Sequence, residues 1–309
     1  MKSDTFTFKA SDGIQIFTYR WVPDDLSTVK GVVQIAHGMA EHAARYERFA
    51  GALTKAGYAV YANDHRGHGK TAGSLADLGY FADENGWEKV VEDIHTLTGI
   101  IKKEYPNKPF FLFGHSMGSF LSRHYAMLYA SELTGLVLSG TGGDPGAIGK
   151  IGLFIAKMDA RLHGKKAKSE IMNKMSFGAF NNAFKPNRTD YDWLSRDNAE
   201  VDKYVSDPLC GAVFTAGFFC DMLGGLGFIN NKENIGKIPK NLPIYIFSGA
   251  KDPVGANTKG VTQVYQSLKN AGISDLTLKF YEDGRHEMLN EINREIVFQD
   301  VIAWLDKHV

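Results

Sequence analysis

The stretch Phe110-Phe111-Leu112-Phe113-Gly114-His115-Ser116-Met117-Gly118 decides the fold. Four large apolar residues in a row read as a strand buried on both faces. From Ser119 to Tyr129 the pattern reads as a helix. Between them Gly114 to Gly118 has the form G-x-S-x-G, in the strand–turn–helix context that this motif requires. The chain must turn sharply, with Ser116 strained at the apex. Glycine two residues before and two after removes side chains that would collide there. The turn lifts the Ser116 hydroxyl above the sheet. It also aims the first free N–H groups of the helix at the same spot.

A hydroxyl so placed is a nucleophile when a base, an orienting acid and oxyanion donors surround it. With a strand-to-helix serine the order along the chain is Ser, then Asp or Glu, then His. Of ten histidines only His286 and His308 lie well downstream. His308 is penultimate, at the frayed end of a helix. His286 sits in Asp283-Gly284-Arg285-His286-Glu287, just after the strand-like Leu276 to Tyr281. Open α/β sheets build their sites at that end of a strand. Asp252 follows the short strand Ile244 to Phe247 through Ser248-Gly249-Ala250-Lys251, and a carboxylate there can hold the second ring N–H of His286. Asp275 precedes its strand and falls at the wrong end, whereas Asp283 stays open as an alternative acid. The oxyanion donors are expected to be the main-chain N–H groups of Met117 and Met39. Met39 lies in the loop His37 to His42 that follows Val32 to Ala36, where Gly38 lets the backbone turn inward. His37 and His42 fit no zinc spacing and have no Cys or acidic cluster beside them in sequence. No metal and no cofactor is expected, and His37 reads as a brace for its loop.

Strands and helices alternate around this centre. Phe6 to Trp21 reads as a hairpin turning at Ser11-Asp12-Gly13. Ala43 to Ala56 reads as a helix, Tyr58 to Ala62 as a strand, and Trp87 to Ile101 as an amphipathic helix. The rhythm predicts a mostly parallel sheet with helices on both faces. It breaks at Gly140 and resumes at Leu242, ending in a helix expected from Leu289 to Leu305. Residues 1–140 and 239–309 therefore form a core domain, and 141–238 a helical cap, or lid, inserted above the site. The cap begins with Ile148, Ile151, Ile155, Met158 and Leu162 at helical spacing. Most of its aromatic residues belong to its own small core. Phe180, Phe184, Phe214 and Phe218 are those expected to face the cleft and bind substrate.

The whole chain resembles the serine α/β-hydrolases of the monoacylglycerol lipase and lysophospholipase group. The resemblance rests on His37-Gly38-Met39-Ala40-Glu41-His42 with Arg45-Tyr46 behind it, on NDHRGHGKT (Asn63 to Thr71) and on the serine pentapeptide. Asp252, His286, the cap segment Phe180 to Asp197 and Asp207-Pro208-Leu209-Cys210-Gly211 complete it. It implies the α/β-hydrolase fold, oxyanion donors at the Met39 and Met117 positions, and an esterase or lipase acting on one acyl chain. The group more often has Ser where this chain has Thr71, a change expected to touch loop bracing rather than chemistry.

Composition excludes other classes. Thirty-five basic and thirty-five acidic residues give zero formal charge, so nothing draws nucleic acid or anionic lipid over long range. Cys210 and Cys220 do not make a disulfide framework. No apolar stretch reaches the length of a membrane span, and Met1-Lys2-Ser3-Asp4 leads straight into a strand. A cytoplasmic protein is expected, with a small acyl ester as its partner and transient contact between cap and membrane surface. His68-Gly69-Lys70-Thr71 imitates the end of a P-loop, but Asp64 stands where the first Gly should be. Asp64 and Arg66 are expected to pair and brace that loop. Three alternatives share the fold: a prolyl-type aminopeptidase, an acyltransferase, and a ligand receptor without catalysis.

Overall fold

The computed structural model describes residues 1–309. One eight-stranded sheet runs in the order β1-β2-β4-β3-β5-β6-β7-β8. Its strands are β1 Lys2–Lys9, β2 Gln15–Val22, β3 Gly31–Ala36, β4 Tyr58–Asn63, β5 Phe110–His115, β6 Gly135–Ser139, β7 Ile244–Gly249 and β8 Leu276–Tyr281. β1 and β2 form the hairpin, β2 runs antiparallel to β4, and every other pairing is parallel. This is the α/β-hydrolase arrangement. β3 to β7 are buried along their whole length, which is why their sequences are runs of apolar residues rather than alternations.

The helices are α1 Glu47–Lys55, α2 Gly86–Glu104, α3 Met117–Tyr129, α4 Gly146–His163, α5 Glu170–Phe177, α6 Asn198–Ser206, α7 Ala216–Ile229, α8 Lys232–Ile235, α9 Lys259–Asn270 and α10 Arg294–Lys307. Alternate strand residues feed two cores. Phe111 and Phe113 pack with Phe49 of α1 and with Phe298 and Trp304 of α10. Leu112, Leu136 and Ile246 pack on the other face with α2, α3 and α9 through Val90, Leu121 and Val264.

Two expected helices start late. Ala43 to Tyr46 is a separate turn before α1, because Asp64 Oδ1 takes the Ala43 N–H and Glu41 takes the Tyr46 hydroxyl. α10 begins at Arg294 rather than Leu289, because Glu291 turns inward to accept from Arg285 and Arg196. The Asp64–Arg66 pair does not form. Asp64 accepts the Ala43 and Lys70 N–H groups, and Arg66 instead bridges Asp93 and Asp12. Thr71 does brace the loop: its Oγ1 accepts from Phe17 N and donates to Asp64 O. So does His37, whose Nε2 accepts the His65 N–H.

Five helices, α4 to α8, lie between β6 and β7 in the chain. They do not share one core. α7 sinks between α2 and α3, so Phe214, Phe218 and Phe219 belong to the main core beside Trp87 and Phe120. Trp193, Leu194 and Tyr204 form a small cluster of their own, flanked by Phe177, Phe180 and Phe184.

Candidate active site

Ser116 follows β5 and caps α3 at φ 52° and ψ −121°, a region that residues with a Cβ rarely occupy. Its N–H bonds to Ser139 O at 2.9 Å, and its carbonyl takes the Ser119 N–H at 2.8 Å. The flanking glycines have no alternative. A Cβ on Gly118 would lie 2.0 Å from Ala36 O, and one on Gly114 would lie 2.4 Å from Gly118 O. The turn is therefore wedged between β3 and the first turn of α3.

Asp252 and His286 meet from two different loops. The His286 Nδ1–H lies 3.0 Å from both carboxylate oxygens of Asp252. Asp252 is fully buried and also accepts from Ser248 Oγ and Val254 N, which leaves it one orientation. Burial alone would push the His286 imidazole down. The Asp252 charge and hydrogen bond, with help from Glu287 and Glu41, outweigh it and raise the pKa above the ordinary value. Ser116 and His286 line one cavity of about 370 Å³, although no hydrogen bond joins their side chains in this conformation. Site hydrogen bonds of this kind often close only around substrate. The two competing residues pair elsewhere. His308 bonds to Asp275 at the amino end of β8, and Asp283 is exposed and paired with Lys251.

Met117 is the first residue of α3, so its N–H has no partner within the helix. The Met39 N–H also donates to nothing in the chain. Its loop is held from behind by a buried ion network that sequence reading missed. Glu41 accepts the Gly38 N–H at 2.6 Å, the Tyr46 hydroxyl at 2.8 Å and Arg45 at 2.6 Å. Arg45 grips Glu287, the residue after His286, with both guanidinium nitrogens at 2.6 and 2.7 Å. Burial would raise the Glu41 carboxyl, but the Arg45 charge and these hydrogen bonds hold it below the usual range. The loop carrying Met39 and the loop carrying His286 are thus one unit. The local hints were the i,i+4 spacing of Glu41 and Arg45 and the acidic residue directly after His286. His115, 4.7 Å from the His286 ring, is pushed down to about 4 by burial and by that neighbour, so it stays neutral.

The segment between β6 and β7 closes the site. The His286 and Glu287 N–H groups donate to the carbonyls of Trp193 and Leu194. None of the four phenylalanines expected to face the cleft lines it. Phe214 and Phe218 are buried against His68 and Phe81. Phe180 packs edge-on against Trp193, and Phe184 lies under Arg285. The apolar wall comes instead from Met39, Phe177, Trp193, Leu194 and Val254, and the rim is polar, with Asn173, Lys174, Asn182, Asn187 and Asp190.

A family model described as serine aminopeptidase, S33 (Hydrolase_4), matches residues 27–293. The monoacylglycerol lipase of Mycolicibacterium smegmatis is 30% identical over 98% of this chain and 97% of its own length. The chain belongs to the monoacylglycerol lipase group of serine α/β-hydrolases. The monoglyceride lipase of Mus musculus is 28% identical over 97% of this chain and 89% of its own. A thermostable carboxyl esterase from Bacillus coagulans superposes with a TM-score of 0.91 at 29% identity, each chain covered completely. This member of the group is accordingly an ester-cleaving serine hydrolase. No helix in it is long and apolar enough to cross a membrane.

Proposed function

We propose that the enzyme cleaves monoacyl esters through Ser116, His286 and Asp252 and an acyl-enzyme. The observation that carries this is the buried Asp252–His286 pair facing a strained serine across one cavity. His286 takes the Ser116 proton as the oxygen attacks the carbonyl. Asp252 holds the tautomer and stabilises the imidazolium. The N–H groups of Met39 and Met117 receive the oxyanion. His286 then protonates the leaving alcohol, and water releases the acyl group.

The apolar wall supports a short acyl chain, and the polar rim supports a hydroxylated leaving group or chain end. Each buried methylene contributes about 0.8 kcal/mol, roughly fourfold in kcat/KM, until the chain meets the rim. Helix α4 of the 141–238 cap presents an exposed apolar face, Ile148, Ile151, Phe154 and Leu162, flanked by Lys150, Lys157 and Arg161. That face suits the surface of a lipid aggregate in the cytoplasm. The aminopeptidase reading needs carboxylates to hold a free amine. Asp192 and Glu200 are committed to Thr189 and to Arg48 and Lys203, which leaves Asp190 alone at the rim.

The test compares p-nitrophenyl esters from acetate to palmitate, a monoacylglycerol and a proline naphthylamide, on wild type and Ser116→Ala. Turnover should rise with chain length to an early maximum, vanish in Ser116→Ala, and be negligible on the amide. Ester turnover that survives in Ser116→Ala removes the mechanism, and a faster amide reaction removes the ester assignment.

A further inference from the structure

We propose that His42, Asp207 and Cys210 form a binding site for one thiophilic divalent cation of the zinc type. In sequence His42 has no metal-ligating companion; the fold supplies two. Asp207 and Cys210 come from the turn after α6 and stand against the loop that carries Met39. One ligand atom from each of the three residues lies within 4.8 Å of the other two, and His42 Nε2 is 2.8 Å from Asp207 Oδ2.

The ligand set is one nitrogen, one oxygen and one sulfur, which suits zinc and leaves a fourth position for water. The surroundings favour a cation. The charges acting on Cys210 are those of Asp207, Glu41 and Glu287 against the single guanidinium of Arg45. Uncompensated negative charge in a half-buried place is costly, and a divalent ion relieves it. The site is also open, because the Asp207 side chain is 29% exposed and gives a path from solvent. The ring can adapt. A cation on Nε2 replaces the proton shared with Asp207, and that proton moves to Nδ1, which is buried without a partner. The Cys210 thiol binds as the thiolate, its proton passing to buffer.

The site sits where it can matter. Gly211 N and the Tyr204 hydroxyl both bond to Ala40 O, next to Met39, and Gly211 and Ala212 form part of the cavity wall. A cation would fasten the Asp207–Gly211 turn to the loop carrying Met39. The proposal does not depend on which ester is cleaved.

The experiment titrates Zn²⁺ into reduced protein against a chromophoric chelator, and repeats it with Co²⁺ as the spectroscopic probe. We expect one ion per chain, a thiolate-to-cobalt charge-transfer band, and a rise in melting temperature with Zn²⁺. Cys210→Ser should abolish the band and weaken Zn²⁺ at least tenfold, Asp207→Asn should weaken it, and Cys220→Ser should leave all three signals unchanged. Circular dichroism of each variant confirms its fold. If Cys210→Ser does not fold, the wild-type cobalt band and the higher Co²⁺ concentration needed to develop it in Asp207→Asn decide the matter. Absence of stoichiometric Zn²⁺ binding by wild type, or equal binding by a folded Cys210→Ser, overturns the proposal.

Discussion

Replacing Ser116 by glycine should make the protein more stable, and replacing it by alanine should not. At φ 52° and ψ −121° any residue with a Cβ is strained, by about 1–3 kcal/mol. Glycine releases that strain but loses more chain entropy on folding, about 0.5–1 kcal/mol relative to alanine. At mid-range, about 2 kcal/mol of strain relieved less about 0.75 kcal/mol of entropy, the net gain of Ser116→Gly over Ser116→Ala is about 1.25 kcal/mol. Alanine keeps the Cβ and gives up a hydroxyl that makes no protein hydrogen bond, so it should stay near wild type. The chain has 309 residues. At about 2.1 cal/mol/K per residue its unfolding entropy makes 1 kcal/mol worth roughly 1.5 °C. Differential scanning calorimetry should then place the glycine variant about 1–3 °C above the alanine variant, with both inactive.

The comparison isolates the backbone. Both variants lack the hydroxyl, and the wedge that enforces the turn, Gly114 and Gly118 against Ala36 and Ser122, is untouched. A glycine variant no more stable than the alanine variant would show that the apex is relaxed. Pre-organised strain would then have no part in presenting the nucleophile.

What the sequence made legible divides by range. The elbow was visible because all its parts are local: the apolar strand, the two glycines and the helix lie within twenty residues. Asp252 and His286 could be placed together because each follows a strand of the parallel sheet, which delivers every such loop to one end. The apolar wall was not visible. Phe214 and Phe218 have the composition of a cleft lining, yet α7 sinks into the main core and takes them away from the cavity. An apolar residue in a helical insertion serves either surface, and only the tertiary path of the helix decides. The Glu41–Arg45–Glu287 network and the His42–Asp207–Cys210 cluster failed for the same reason. Each depends on a residue brought in from a distant loop, Glu287 to the Glu41–Arg45 pair and His42 to Asp207 and Cys210, and no sequence spacing announces that partner.

Three further tests follow from the site. Met39→Ala should be mild and Met39→Pro should cost about 10²–10³ in kcat, because only proline deletes the N–H; an equal loss in the alanine variant would assign the effect to the side chain. Arg45→Met leaves Glu41 and Glu287 buried and unpaired, so it should destabilise by about 3–5 kcal/mol in urea unfolding. Adding Glu41→Gln and Glu287→Gln should recover part of that loss, and no recovery would mean the network is not acting through charge. The last concerns Asp252→Asn, which should lower kcat by roughly 10⁴ and also invert a pH dependence. In wild type Asp252 raises the His286 pKa, so the acid limb of kcat/KM should lie above the ordinary value of about 6.5. Activity falls as pH drops through that limb, because the imidazolium cannot accept the Ser116 proton. Stability runs the other way. A raised pKa favours the folded state when His286 is protonated, so its contribution is full below the unfolded pKa and is lost as pH rises through the folded one. In Asp252→Asn burial is left as the larger influence and the His286 pKa drops below its unfolded value. Its contribution is then present above the unfolded pKa and lost as pH falls. Between about pH 6 and 8 the difference in melting temperature, wild type minus Asp252→Asn, should therefore shrink steadily as pH rises. A difference that stays constant across that range would mean that Asp252 orients His286 without setting its charge.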